Sequence, residues 1–225
     1  MMRNLIKLLA GISTMFLIGP LTADQEFPQV TEDGLHLERQ SKHGVLYVKP
    51  GATLEPYSKI MLVDAYVAFQ KDWQADFNRS RVGVAKLLTD QDMERIKNDV
   101  AGEFKKVFSQ TLQDGGYEVV KEAAQDVMIL RPAIINLEVA APDTNTAGMN
   151  AVIVSSAGAL TLYAELYDSV TNDKFAQILD RQVAGDRGFG YRANKTTNRQ
   201  ALDRTLRGWA DRLVKRLDEA HGSGE

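Results

Sequence analysis

The stretch from Val48 to Trp73 constrains this chain most. Ile60, Met61, Leu62 and Val63 are apolar without a break, and Ala65, Val67 and Phe69 then alternate with Tyr66 and Ala68. An unbroken apolar run reads as a strand buried on both faces, and the alternation as one face reaching water. Pro50, Gly51 and Pro56 precede it, so the chain enters through a turn. Tyr57 to Gln70 is therefore expected to be the central strand of a sheet.

Two later segments carry helical periodicity. Met93, Ile96, Val100, Phe104, Val107, Phe108 and Leu112 recur at three- and four-residue steps. Thr89 and Asp92 before them are spaced as a capping box, and Gly115-Gly116 stops the helix. The second stripe is Leu202, Leu206, Trp209, Leu213 and Leu217, with Thr197 and Gln200 as a second capping box and Gly222 at the end. Phe104 and Trp209 stand mid-stripe and are expected to be buried on one sheet face, against Met61, Val63 or Leu162.

The remaining apolar patterns are strands. Val45–Val48, Tyr117–Val120 and Val127–Val139 are three of them, with Pro132 pointing to a bulge or an edge position in the third. Leu160 to Tyr167 alternates cleanly, 168–173 is turn chemistry, and Phe175 to Val183 returns, which makes a hairpin. Asp72–Ser80 reads as a polar connection in which Trp73 and Phe77 pack locally. The expected fold is α+β: a two-layer sandwich with both amphipathic helices on one face of a mostly antiparallel sheet of about five strands. Tyr66, Tyr163 and Tyr167 fall on the other face, which is either wet or covered by a partner.

The first residues read as a targeting segment. Arg3 and Lys7 start it, Leu8 to Ile18 is apolar, Gly19-Pro20 breaks it, and Ala23 offers a cleavage point before Asp24. The expected organisation is a signal peptide over 1–23, an extended lead-in over 24–44, one domain over 45–220 and a tail over 221–225. An uncleaved N-terminal anchor is the alternative. Leu35, Leu37 and Val45 are expected to tuck onto the domain. After cleavage no further segment is apolar and long enough for a transmembrane helix.

Composition narrows the chemistry. Cysteine is absent, so disulfides, thiol catalysis and a thiol-linked lipid are excluded. The net charge of −3 supplies no electrostatic footprint for nucleic acid. His36, His43 and His221 have no carboxylates at metal-ligand spacing, so no metal site is expected, and His221 reads as a cation near a helix end. Gly188-Phe189-Gly190-Tyr191 lacks a nucleotide fingerprint and Ser155-Ser156 lacks a nucleophile elbow, so no cofactor and no catalytic residue are assigned.

Three sharper readings remain. Glu165, Asp180 and Asp186 could face one another as an acid–base set in a hydrolase, against the alternative of solvated strand charges. Arg181, Asp186, Arg187, Tyr191 and Arg192 form the candidate ligand-binding segment, since guanidinium groups beside a helix start suit a small anion. The alternative there is a glycine loop whose arginines pair with nearby aspartates. Val152, Ile153 and Val154 could form an exposed edge that pairs with a second copy.

Tyr47-Val48-Lys49-Pro50-Gly51-Ala52, the Ser58–Phe69 strand and Leu166-Tyr167-Asp168-Ser169-Val170-Thr171-Asn172 together resemble the bacterial domain of unknown function 3313 family. The resemblance runs from about Gly34 to the second helix. It implies an exported protein of the periplasm or cell envelope, with peripheral association to the outer membrane. It implies no catalytic residues. Members often carry a lipobox cysteine, which this chain lacks, and a glycine near the position of Asn172, where asparagine tolerates the same left-handed backbone. The function expected from these features is binding of a protein partner or self-association, without enzymatic chemistry.

Overall fold

The computed structural model describes residues 27–80, 87–139, 152–154, 158–184, 191–193 and 195–222. The 1–23 targeting segment lies outside them. In chain order the elements are β1 (His36–Ser41), β2 (Gly44–Val48), β3 (Lys59–Leu62), β4 (Tyr66–Phe69) and α1 (Trp73–Arg79). Then come α2 (Asp90–Asp114), β5 (Glu118–Val119), β6 (Val127–Val139) and β7 (Val152–Val154). β8 (Gly158–Asp168), β9 (Lys174–Ala184), β10 (Tyr191–Ala193) and α3 (Lys195–Ala220) complete the chain.

The architecture is α+β with a mixed sheet of eight strands, in the order β1-β2-β9-β8-β6-β3-β5, with β4 also beside β6. This corrects the five-strand, two-layer expectation. β3 and β4 pair with β6 in parallel, and β3 pairs with β5 in parallel. The 25 residues of α2 lie between β4 and β6 and provide the crossover that a parallel pair needs. A separate two-stranded ribbon joins β7 to β10. The edge expected to recruit a second copy thus has a partner within the same chain.

The expected central strand is two strands, and neither is central. Chain pairing breaks at Val63–Ala65, and the thirteen-residue β6 organises the sheet instead. Pro132 explains the break. The Val63 N–H donates to the Leu130 carbonyl, so backbone groups at 130, 132 and 134 point toward β3 and β4. The missing N–H of Pro132 therefore faces the gap, where no partner is required. The bulge in β6 comes later, between Ile135 and Glu138, with Asn136 at φ 50°.

β8 and β9 form the expected hairpin, and Asn172 in its turn has φ 58°. The Thr89–Asp92 capping box is formed from both sides: Asp92 N donates to Thr89 Oγ1, and Thr89 N to Asp92 Oδ2. The second helix starts before the expected cap at Thr197. α3 starts at Lys195, which places Thr197 inside its first turn. The Asp72–Ser80 connection contains the short helix α1, whose Trp73 stacks between Phe69 and Phe77 at 4.7 and 5.4 Å.

α2 and α3 share one core with a single sheet face. Phe104 is 0% exposed and Trp209 4%, and both lie in one cluster with Ile60, Leu130, Leu160 and Leu162. Of the expected contacts Leu162 belongs to this core, whereas Val63 is exposed and Met61 only half-buried. Glu103 on α2 bonds Arg199 on α3 at 2.7 Å, and a Cβ at Gly115 would meet the Val214 side chain at 2.7 Å. The helices approach that closely because Gly115 is bare.

The opposite face carries a second, smaller core. Leu35, Val45, Tyr47 and Leu179 are its centre, with Phe27, Leu37 and Tyr163 packed around it. The lead-in itself supplies this cover and contributes β1 to the sheet. Leu35 and Val45 are buried as expected, and Tyr66 stays 60% exposed.

Candidate functional site

Strand alternation sorts the site residues between the two faces. On the helix side, β9 presents Ala176, Ile178 and Asp180, and β2 presents Leu46 and Val48. α2 packs beside β4 and β5, and α3 reaches across to β9. Among the described residues α3 packs on β9, and a cleft of about 660 Å³ opens between α3 and the β9–β2–β1 edge. Its floor is Leu46, Val48 and Ile178, and its wall is Trp209 and Leu213 of α3. The inner end reaches Phe104, Phe108 and Leu130 of the main core.

The mouth of the cleft is charged and internally paired. Arg212 and Gln182 both donate to Asp180, each at 2.7 Å. Arg216 donates to Glu219 at 3.0 Å, and Glu38 and Arg39 of β1 stand on the other wall. Such a site can hold an apolar group by burial and orient it through a polar rim.

The other face holds a dense polar network. Glu165 accepts from Tyr163 Oη at 2.7 Å, Tyr167 Oη at 2.8 Å and Lys174 Nζ at 3.1 Å. Lys174 also donates to Asp33 of the lead-in. Arg131 donates to Tyr167 Oη at 3.2 Å and lies over its ring. The side chains of Glu165 and Lys174 are 12% and 14% exposed. Burial, reinforced by Glu165, pushes both Tyr163 and Tyr167 above the ordinary tyrosine value. Burial alone would lower Lys174, but its bonds and attraction to Asp33 and Glu165 outweigh this and hold it above its ordinary value. Two cations face two carboxylates, every one of them engaged, so the network ties elements together.

The structure separates the residues proposed for hydrolysis. Asp180 pairs in register with Leu162 on the helix side, and Glu165 pairs with Gln177 on the other side. The sheet lies between the two carboxylates, so they cannot act on one bond. This overturns the Asp180–Glu165 pairing for a physical reason: their positions in the hairpin differ in parity.

Arg181 lies in β9 opposite Thr161, on the face away from Asp180. Asp186 and Arg187 lie outside the described residues. Tyr191 and Arg192 are described as backbone in β10, paired with Val154 and Ile153. His221 packs on Tyr117 at 5.9 Å, and its Nε2 bonds the Glu55 carbonyl at 3.0 Å. It joins the end of α3 to the loop before β3. Among the described residues no group of three His, Asp or Glu side chains is placed to hold a metal ion. No helix among them is long and apolar enough to cross a membrane.

The cleft has no motif, so a linear reading misses it. The network was half legible: Tyr163, Glu165 and Tyr167 share parity, but Asp33, Arg131 and Lys174 join them only through strand pairing and lead-in docking.

A family model for a protein of unknown function, DUF3313, matches residues 30–213. The chain belongs to this family. Comparison with curated proteins gave no match. Among solved structures the chain is similar to the PelC dodecamer from Paraburkholderia phytofirmans, at 10% identity and a TM-score of 0.40, over 77% of this chain and 96% of that one. Protein XCC0632 from Xanthomonas campestris, described under DUF330, has 12% identity and a TM-score of 0.36, over 74% and 86%. A neuraminyllactose-binding hemagglutinin homologue from Helicobacter pylori has 11% identity and a TM-score of 0.30, over 76% and 92%. At these values the likenesses carry no functional argument.

Proposed function

We propose that this DUF3313 protein is an exported, non-enzymatic binding protein of the cell envelope, and that the cleft beside α3 is its working surface. The observation that carries the reading is the cleft itself: about 660 Å³, apolar within and charged at its mouth. The opposed placement of Asp180 and Glu165 favours binding over the hydrolase alternative. The N-terminal pattern ending at Ala23 supports export, and the family resemblance agrees with it.

Mild cross-linking of intact envelopes tests this. The wild-type protein should give specific adducts in the envelope fraction. Ile178→Arg, which places a charge on the cleft floor, should lose them while keeping its circular dichroism spectrum. Unchanged adducts in a folded Ile178→Arg protein would remove the cleft from the function, and fractionation with the cytoplasm would remove the envelope.

A further inference from the structure

We propose that His221 is the pin of a proton-operated clasp: doubly protonated, its imidazole ties the end of α3 to the 52–57 loop, and the tie loosens when one ring proton leaves. Nothing in this clasp depends on what the cleft holds.

The clasp is three contacts in a row. His221 Nε2 lies 3.0 Å from the Glu55 carbonyl oxygen, on the loop before β3. Its Nδ1 lies 3.3 Å from Tyr117 Oη, and the two rings stack. Tyr117 Oη in turn donates to Asp218 Oδ1 of α3 at 2.7 Å. Tyr117 is buried just before β5, so the row joins three separate parts of the chain. His221 is exposed and can exchange its protons with solvent.

Counting protons decides the state of the ring. A carbonyl oxygen only accepts, so Nε2 must carry a hydrogen. An ionised carboxylate only accepts, so the single hydroxyl hydrogen of Tyr117 goes to Asp218. Nδ1 then faces an oxygen lone pair and must carry a hydrogen too. Three contacts need three hydrogens. Tyr117 with a neutral imidazole supplies two, and Tyr117 with an imidazolium supplies all three. A neutral ring therefore always leaves one contact open. The third proton belongs on the ring, because imidazole is more basic than a carboxylate.

The surroundings favour that charge. The C-terminal end of a helix carries partial negative charge, and Asp218 adds a full one. Glu219, the next acid on α3, pairs with Arg216 and Lys215. Asp114 at the end of α2 is drawn to Arg207, and Glu118 of β5 to Lys59. Burial first, and then Asp218, pushes the Tyr117 hydroxyl above its ordinary value, so it stays a donor. Thr53 and Leu54 of the loop and Glu219 and Ala220 of α3 all line the cleft, so the clasp holds its two sides together there. Histidine changes charge between about pH 5 and about pH 8. The clasp is closed at the acid end of that range and loose at the other.

Backbone hydrogen exchange on the full chain tests this at about pH 5.5 and about pH 7.5, either side of the histidine midpoint. Each rate is corrected for the exchange of an unfolded chain at the same pH. The reporters are the Tyr57 N–H, which donates to the Leu54 carbonyl, and the His221 N–H, which donates to Leu217. Their protection should fall about fivefold from the lower pH to the higher, the worth of about one hydrogen bond. In His221→Ala the Tyr57 amide should keep the low protection at both. Asp218→Asn should keep the high protection at both. Its amide brings an N–H to Tyr117 Oη, the hydroxyl turns to Nδ1, and a neutral ring closes the row. Equal wild-type protection at the two pH values would overturn the proposal without any variant. So would a pH dependence that survives in His221→Ala, or an Asp218→Asn protein that keeps it or stays at the low level.

Discussion

Asp168 shows how one side chain closes the hairpin. Its Oδ1 accepts from the backbone N–H of Val170 at 2.9 Å and of Thr171 at 2.7 Å. Its Oδ2 accepts from Tyr57 Oη at 3.1 Å, which ties the turn to the chain just before β3. The Thr171 backbone bond foremost holds the Asp168 carboxyl below the ordinary value of 3.8. Burial first, and then Asp168, pushes the Tyr57 hydroxyl up to about 12. A depressed carboxyl contributes stability that is fully present above its unfolded value and lost as pH falls through the folded one. Denaturant melts should thus show Asp168→Asn losing less stability than wild type on going from about pH 5 to about pH 2. Parallel pH profiles would show that the turn does not depend on the charge. The residue type and its place were legible, because aspartate opening a tight turn is local chemistry. The bond to Tyr57 spans 111 positions and was not.

At the scale of elements, local signals held where they were complete. Thr89 and Asp92 start α2 as their spacing implies, with aspartate in the place usual for glutamate. Thr89→Ala should cost about 1 kcal/mol, within the roughly 0.5–2 usual for a lost cap, in a thermal or denaturant melt. An unchanged melt would mean that packing alone sets the start of α2. The failures have physical reasons too. α1 has no side-chain cap bond, starts from Asp72 at φ 60° and buries no residue, so neither capping nor periodicity marked it. It is held by the Phe69–Trp73–Phe77 stack: the local packing of Trp73 and Phe77 was expected, the helix that carries it was not. Pro132 was rightly read as an interruption, but the interruption falls on the neighbouring strand. The sequence of β6 cannot say which strand lies on its far edge.

Among the described residues two cores lie on either side of the eight-stranded sheet, and Lys174 ties the lead-in to the second face. It sits on β9 and bonds both Glu165 of β8 and Asp33 of the lead-in. Lys174→Met removes this cation from Asp33 and leaves Glu165 with Arg131, 3.9 Å away. Breaking a fully buried pair costs about 3–5 kcal/mol, and the retained tyrosine donors and partial exposure reduce this to about 1–3 kcal/mol. The same variant should be cut sooner by protease between Phe27 and Leu35. Wild-type stability with an unchanged digestion pattern would show that the lead-in holds by its apolar contacts alone. Apolar periodicity, turn residues and one capping box determined by themselves the class of fold, the two long helices, the β8–β9 hairpin and the burial of Phe104 and Trp209, because each is a contact between near neighbours or a face set by parity. Tertiary structure alone decided the parallel pairing of β3 and β4 with β6, the docking of the lead-in on the second face, and the cleft between α3 and the β9–β2–β1 edge. These depend on how many strands stand side by side and in what order, which no local pattern carries.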